Sequence, residues 1–406
     1  MDFELHYSEE QEEFRKEVRA WIDANVPPNL EQPEDPENIT YELYQQAREF
    51  RRKLGAKGWL VPTFPREYGG GGLDVGRAIV IAEELAERDA DIPRLLGDNG
   101  VSLFIPAIMV WGTEEQKKRF LPAMCGGQAI TWQGYTEPEA GSDLASLKTR
   151  AARDGDEYII NGEKIFIGSS FDYDFIFTLA VTDPKAPRHH NIGAFMVPAG
   201  TPGIKVIDLD LFAEAGQPGK RHVFYEDVRV PATHLIGGET DGWQVTQSVL
   251  EVEHGGGGAV VTRHRLLERV LEYCKETQHN GKPLSQDPEV RREIVNIYVQ
   301  SEIGRLWGMR NYWMRHARKP GFGYEGSQTS LHQKTFAPQM GAAYLRILGP
   351  AALLDDPGVA PLKGAVELQQ RNSICTHPGG TVEVQKLIIA RRLGLSRTRE
   401  EAAKFV

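Results

Sequence analysis

The sequence predicts an α+β chain: an N-terminal α-helical domain (1–129), a middle β-sandwich or barrel (130–236) and a C-terminal four-helix bundle (237–406). Three observations carry this reading. Apolar residues in the outer segments recur at helical spacing, as in Phe14, Val18, Trp21 and Ile22. The middle segment is a series of short β-rich runs separated by turn residues. No strand–helix alternation appears, which disfavours a doubly wound nucleotide fold. The length of 406 residues also exceeds what one compact core usually holds.

The elements follow in order. Ser8 followed by Gln11 is a capped helix start, and a Pro-rich loop follows through Pro27, Pro28, Pro33 and Pro36. A second helix is expected from Tyr41 to Leu54, and Gly58 to Leu73 reads as a loop. Helical patterns return at Gly76–Glu87 and Val101–Trp111, and Thr113 to Gln116 opens a further short helix. About six strands are expected between 130 and 235, and Asn161–Gly162 is a hairpin signal. Helices then fill Trp243–Lys275, Pro288–Arg315, Gln328–Leu348, Leu362–Ser373 and Thr381–Leu393.

Composition excludes several function classes. A net charge of −10 gives no electrostatic footprint for nucleic acid or an anionic membrane surface. No apolar run approaches a membrane-spanning length, and the acidic start MDFELHYSEEQEEF is no signal peptide. The three cysteines, Cys125, Cys274 and Cys375, make no CxxC pair, so neither a disulfide framework nor a metal site is expected. A cytoplasmic protein is the expectation.

Two stretches could carry chemistry. YTEPEAGSD, Tyr135–Asp143, offers the hydroxyls of Thr136 and Ser142 and an unobstructed backbone at Gly141. Such a turn can approach a flat, polar-edged ring or a phosphate, although composition alone favours a plain polar interdomain turn. LEVEHGGGGAVV, Leu250–Val261, places Glu253 and His254 before four glycines in a helical context. Each helical glycine costs roughly 1 kcal/mol relative to alanine. By itself Glu253 fits a solvated helix carboxylate paired with His254 or Arg265.

The longer string YTEPEAGSDLASLKTRAARDGDEYIINGEKIFI resembles the signature region of the acyl-CoA dehydrogenases. SEEQEEFRKEVRAW, GWLVPTFPREYGGGG, GTEEQKKRFLPAM, GWQVTQSVLEVE and GGTVEVQKLIIARRLGLSR extend the likeness over nearly the whole chain, in order. The family removes the proton α to a thioester and passes the β-hydride to FAD. Many members take the base from a Tyr-Glu-Gly-Thr turn; here that turn is His377-Pro378-Gly379-Gly380-Thr381, with Gly379 at the Glu position. A minority supply it from another helix, and aligning its Gly-Trp start places that base at Glu253. Glu383 is the other nearby carboxylate, and its place on an opening helical turn explains it without catalysis.

The resemblance further implies that Gln133, Tyr135, Thr136, Gly141, Ser142, Phe166, Ile167, Gly168, Thr381 and Glu383 line the flavin. It implies that Ser142, His254, Gly379 and Gly380 meet the substrate, with the Gly379 N–H donated to the thioester oxygen. At Gly168 relatives often carry a Thr or Ser hydroxyl, for which Ser169 is a candidate substitute. Implied partners are an acyl-CoA, an electron-transfer flavoprotein as acceptor, and either a homo-oligomer or a heterotetramer with a paralogous subunit. Two partner-facing segments depart from the family: Thr277–Pro283 is loop-like, and Leu348-Gly349-Pro350-Ala351 replaces a Gly-Gly-Asn-Gly turn. Pro350 removes a backbone donor there. The competing readings are a non-catalytic subunit of a hetero-oligomeric dehydrogenase, and a flavin monooxygenase on the same fold. The expected substrate is a bulky steroid-derived or branched acyl-CoA.

Overall fold

The computed structural model describes residues 7–27, 30, 39–88, 96–168, 170–213, 218–256, 265–316 and 323–398. Ser169, Gly257, Gly258 and most of the Pro-rich loop lie outside these. Eleven α-helices and ten strands occur among the described residues. The N-terminal helices are α1 (Glu9–Asn25), α2 (Tyr41–Ala56), α3 (Val75–Glu87), α4 (Ile105–Trp111) and α5 (Glu114–Cys125). Strands β1 (Thr131–Gly134), β2 (Arg150–Asp154), β3 (Glu157–Ile167), β4 (Phe175–Val181), β5 (Ile192–Pro198), β6 (Ile204–Asp208), β7 (Arg221–Pro231) and β8 (Leu235–Ile236) follow. Then come α6 (Gly242–Glu251), α7 (Arg265–Glu276), α8 (Pro288–His316), α9 (Glu325–Leu348), α10 (Ala365–Ser373) and α11 (Val382–Arg392).

Local chemistry explains the helix starts. Ser8 and Thr113 each close a capping box, with Gln11 and Gln116 returning to the cap backbone. Thr40, Asp74 and Thr381 cap α2, α3 and α11.

The middle unit is one eight-stranded mixed sheet in the order β6-β7-β3-β2-β4-β5-β8, with β1 pairing parallel to β4. It does not close, so the barrel alternative is not realised: β6 forms an exposed edge. Its central strands are buried on both faces. Ile176 and Ala180 of β4, with Phe195 and Val197 of β5, pack into the cluster built by α1 and α2. Phe177, Leu179, Ala194 and Met196 face the opposite cluster with α4, α5 and α6. The period of two thus divides each strand between two helical layers. A separate core joins α7, α8, α9 and α10.

The Thr277–Pro283 segment is a short hairpin rather than a loop: β9 (Gln278–His279) pairs with β10 (Lys282–Pro283). Asn280 (φ 51°) and Gly281 (φ 76°) make its two-residue turn. Asn-Gly is the usual signal for such a turn, and the sequence contained it.

One buried ion pair ties the N-terminal helices to β1. Arg51 Nη2 meets Asp98 Oδ2 at 2.5 Å with both side chains almost fully buried. Arg51 also donates to Gly127 O and Ala129 O, while Asp98 Oδ1 accepts from Thr131 N. The first residue of β1 is therefore held at a fixed depth beneath α2. No helix among the described residues is long and apolar enough to cross a membrane, and no group of three His, Cys, Asp or Glu could hold a metal ion there.

Candidate active site

Glu253 lies where α6 gives way to a π-helical turn, Val252–Gly256. Such a turn widens the backbone by one residue and often marks a functional position. The glycine run that begins at Gly255 extends beyond the described residues. The half-buried Glu253 carboxylate accepts a hydrogen bond from Gln133 Nε2 at 2.9 Å. Gln133 sits on β1, and its Oε1 accepts in turn from Asn99 Nδ2 at 3.3 Å. Asn99 therefore orients the amide so that its NH2 faces the carboxylate.

Gly379 stands directly across from Glu253. A Cβ at Gly379 would lie 3.6 Å from Glu253 Cγ and 3.8 Å from its Oε1. A Cβ at Gly380 would lie 3.0 Å from His254 Nε2. Both glycines have positive φ, 63° and 77°, a conformation glycine adopts without strain. Gly379 O accepts from Gln385 Nε2 at 2.7 Å, and the N–H groups of Gly379 and Gly380 donate to no acceptor among the described residues.

Burial pushes the Glu253 carboxyl above its ordinary value, partly offset by the Gln133 hydrogen bond and the charges of Lys334 and Lys220. His254 is driven down to about 4 by burial, then by Lys334 and Arg392, and is neutral at physiological pH. Burial, with the Glu253 charge, raises the buried Tyr135 phenol well above its ordinary value, so it stays protonated.

A second group of expected residues gathers at the ends of β1 and β3. Ile165 N donates to Thr136 O at 2.9 Å, which joins the Tyr135–Asp143 turn to the end of β3. The β3–β7 register shifts between Lys164 and Ile167. This bulge holds Phe166 at φ 63° with its ring 51% exposed. Positive φ is a genuine outlier for an aromatic residue, and bulges commonly re-aim a side chain. Ile167 is buried in the sheet core, so only its backbone is available to a ligand. Gly141 and Ser142 are exposed, and a Cβ at Gly141 would meet nothing within 4 Å. An outward aromatic ring beside a polar turn and an open backbone fits a flat ring with polar edges, as in FAD.

Gly168 explains the missing hydroxyl. A Cβ there would lie 2.5 Å from Trp132 Cε2, at φ 65°. Trp132 is itself pinned by Nε1 donating to Ser170 Oγ at 2.7 Å. Gly168→Ser is expected to cost about 1–3 kcal/mol by overpacking, read as a lowered Tm. Thr381 and Glu383 lie on the first turn of α11, where Thr381 Oγ1 accepts from Val384 N and Glu383 is exposed.

The structure thus brings Gln133, Tyr135, Glu253, His254, Gly379 and Gly380 together, and sets Thr136, Phe166 and Gly168 in a neighbouring patch. Asn99, Lys334 and Gln385 were missed. Gln385 lies within the GGTVEVQ string and bonds back to Gly379 O six residues earlier, whereas Asn99 and Lys334 belong to no such motif and reach the site through tertiary contacts.

Residues 8–128 match the acyl-CoA dehydrogenase N-terminal domain, 133–228 the middle domain and 240–394 the C-terminal domain. Acyl-CoA dehydrogenase FadE26 of Mycobacterium tuberculosis is 30% identical over 403 residues, covering 97% of this chain and 99% of the relative. Acyl-CoA dehydrogenase IpdE1 of the same organism is 30% identical over 398 residues, covering 95% and 98%. Among solved structures, the ChsE4–ChsE5 complex from Mycobacterium tuberculosis matches with a TM-score of 0.78 and 29% identity, covering 98% of this chain and all of that one. The Tcur3481–Tcur3483 steroid acyl-CoA dehydrogenase matches with a TM-score of 0.78 and 29% identity, covering 98% and 100%. The chain belongs to the acyl-CoA dehydrogenase family of oxidoreductases.

Proposed function

We propose that this chain dehydrogenates an acyl-CoA thioester between its α and β carbons, with Glu253 as the base for the α-proton. The contact between Glu253 and Gly379 carries the reading. A carboxylate delivered from the end of α6 stands where a side chain on the 376–380 turn would project. The site has two carboxylate attachment points within reach of one volume and uses the first.

The chemistry asks for a base, a donor for the thioester oxygen and a dry site. Desolvation makes Glu253 a stronger base than an exposed glutamate, while the Gln133 hydrogen bond and the Lys334 charge favour its ionised form. The N–H groups of Gly379 and Gly380 are the donors at hand for an oxygen that gains negative charge. Neutral His254 fills the space beside Gly380 without adding a competing acid. Tyr135, Thr136, Gly141, Ser142, Phe166, Ile167, Gly168, Thr381 and Glu383 are the residues to hold FAD, which supplies the acceptor for the β-hydride when bound. Electrons then leave to an electron-transfer flavoprotein.

The expected pH profile tests the base. Only the ionised carboxylate accepts a proton, and the folded-state pKa is raised. The rate of flavin bleaching by acyl-CoA therefore falls as pH drops through a midpoint above 4.5, the ordinary glutamate value. That midpoint disappears in Glu253→Gln. A profile flat down to pH 4.5 overturns the assignment.

A paralogous partner completes the assembly in this reading, and the substrate is bulky, steroid-derived or branched. The two-chain structural relatives support both points. The replacement of the Gly-Gly-Asn-Gly turn supports the partner: Gly349 (φ 64°) leads into Pro350, and Leu353 and Leu354 stay exposed. A purified chain that alone forms a homotetramer with stoichiometric FAD argues against the hetero-oligomer.

A further inference from the structure

We propose that Lys334 is a positioning residue for the dehydrogenation: from α9 its ammonium clamps the 376–380 turn that presents Gly379 beside the Glu253 carboxylate. The inference rests on the proposed role of Glu253 and concerns a residue that no motif marks.

The clamp is a matter of backbone geometry. Lys334 Nζ donates to Thr376 O at 3.2 Å and also to Pro378 O. Gln385 Nε2 takes the next carbonyl, Gly379 O, at 2.7 Å. A trans peptide is planar, with its N–H opposite its C=O. Anchoring Pro378 O therefore directs the Gly379 N–H away from Lys334, and anchoring Gly379 O does the same for the Gly380 N–H from Gln385. Both glycines sit at positive φ and have no side chain to hold them, so these carbonyl contacts restrict the turn.

The charge of Lys334 also acts on Glu253. Lys334 is half-buried, and burial lowers its own pKa while Glu253 and Cys375 raise it. Three titratable groups bear on Glu253 from other elements: Lys334 on α9, Lys220 ahead of β7 and Tyr135 after β1. Neutral His254 is its neighbour on the same turn. Tyr135 is protonated and His254 neutral, which leaves the two lysines as the positive charges. Of these, Lys334 also holds the turn that Glu253 touches.

The test uses the FAD-loaded chain, with its partner where one is required. Lys334→Met, Lys334→Gln and Lys334→Arg are compared in two measurements. The first is the pH dependence of single-turnover flavin reduction. Lys334→Met is expected to lower the plateau rate about 10-fold or more, by loosening a transition-state donor. It also moves the Glu253 midpoint upward, because a positive charge is lost. Lys334→Gln keeps one donor and loses the charge, so its midpoint moves as far while its plateau falls less. Lys334→Arg restores the midpoint. The second measurement is calorimetric binding of an enoyl-CoA against a thioether analogue that lacks the carbonyl oxygen. Lys334→Met weakens the first several-fold and leaves the second unchanged. Should Lys334→Met not fold, the Gln and Arg variants decide between the same outcomes. A wild-type midpoint in Lys334→Gln, or equal weakening of both ligands, overturns the inference. Failure of the Glu253 assignment is seen separately, as turnover in Glu253→Gln.

Discussion

Glu253→Gln is expected to lose about 10²–10⁴-fold in the rate of flavin reduction, the usual contribution of a positioned base. The substitution keeps the shape and a hydrogen-bonding oxygen for Gln133, so binding of acyl-CoA changes little. The protein also becomes more stable at pH values above the raised Glu253 pKa. A group whose folded pKa is raised contributes stability at low pH that is lost as pH rises through that pKa. Glu253 is such a group, because burial dominates over its hydrogen bond and neighbouring charges. Above that pKa its ionised form opposes folding, and the neutral amide relieves this. The expected result is a higher Tm with a lost rate. A lower Tm together with an intact rate rejects both the base and its burial.

The second large effect is on stability. Lys164 is fully buried beneath the Tyr135–Asp143 turn, with Nζ at 2.8 Å from Glu137 Oε1 and 3.1 Å from Tyr135 O. Glu137 also accepts from Lys148 N at 2.5 Å and Thr149 N at 2.9 Å. Burial pulls the Lys164 ammonium down to about 8, against the pull of Glu137. Glu137 resists the upward push of burial and is held below its ordinary value by Lys164 and its hydrogen bonds. Glu137→Ala strands the ammonium with one carbonyl and leaves two backbone donors unsatisfied. Removing one partner of a buried pair costs about 3–5 kcal/mol. The expected Tm loss is roughly 4–6 °C for a chain of this size. The double variant Glu137→Leu, Lys164→Met loses less than Glu137→Ala, because no charge is left buried. A single variant within about 1 °C of wild type contradicts the argument.

Periodicity made the layout legible before any coordinates. Phe14, Val18 and Ile22 share one stripe of α1, and the near-continuous apolar runs of β4 and β5 fit strands whose side chains divide between two cores. The helix starts at Ser8 and Thr113 were readable because a capping box is a local pattern. Whether the middle strands close was not readable, since closure depends on strand order rather than on any single strand. In the candidate site, the pairing of an absent carboxylate at Gly379 with one at Glu253 came from comparing motifs, and the two positions are in contact. Lys334 had no such signal. It lies 45 residues before Gly379 on another element, and ordinary helix lysines look the same in sequence. The bulge that turns Phe166 outward was equally silent, because it is a mismatch between two strands.

The π turn at Val252–Gly256 bears on how the site tolerates change elsewhere. On an unbroken α-helix a terminal side chain inherits every rotation imposed upstream, here by the packing of Val245 and Val249 against the sheet. A widened turn interposes slack between that anchorage and the acid group. Small repackings such as Val249→Ile are then absorbed as altered pitch instead of misaimed chemistry. The fold can drift beneath the proposed base while the reach of a single oxygen is preserved.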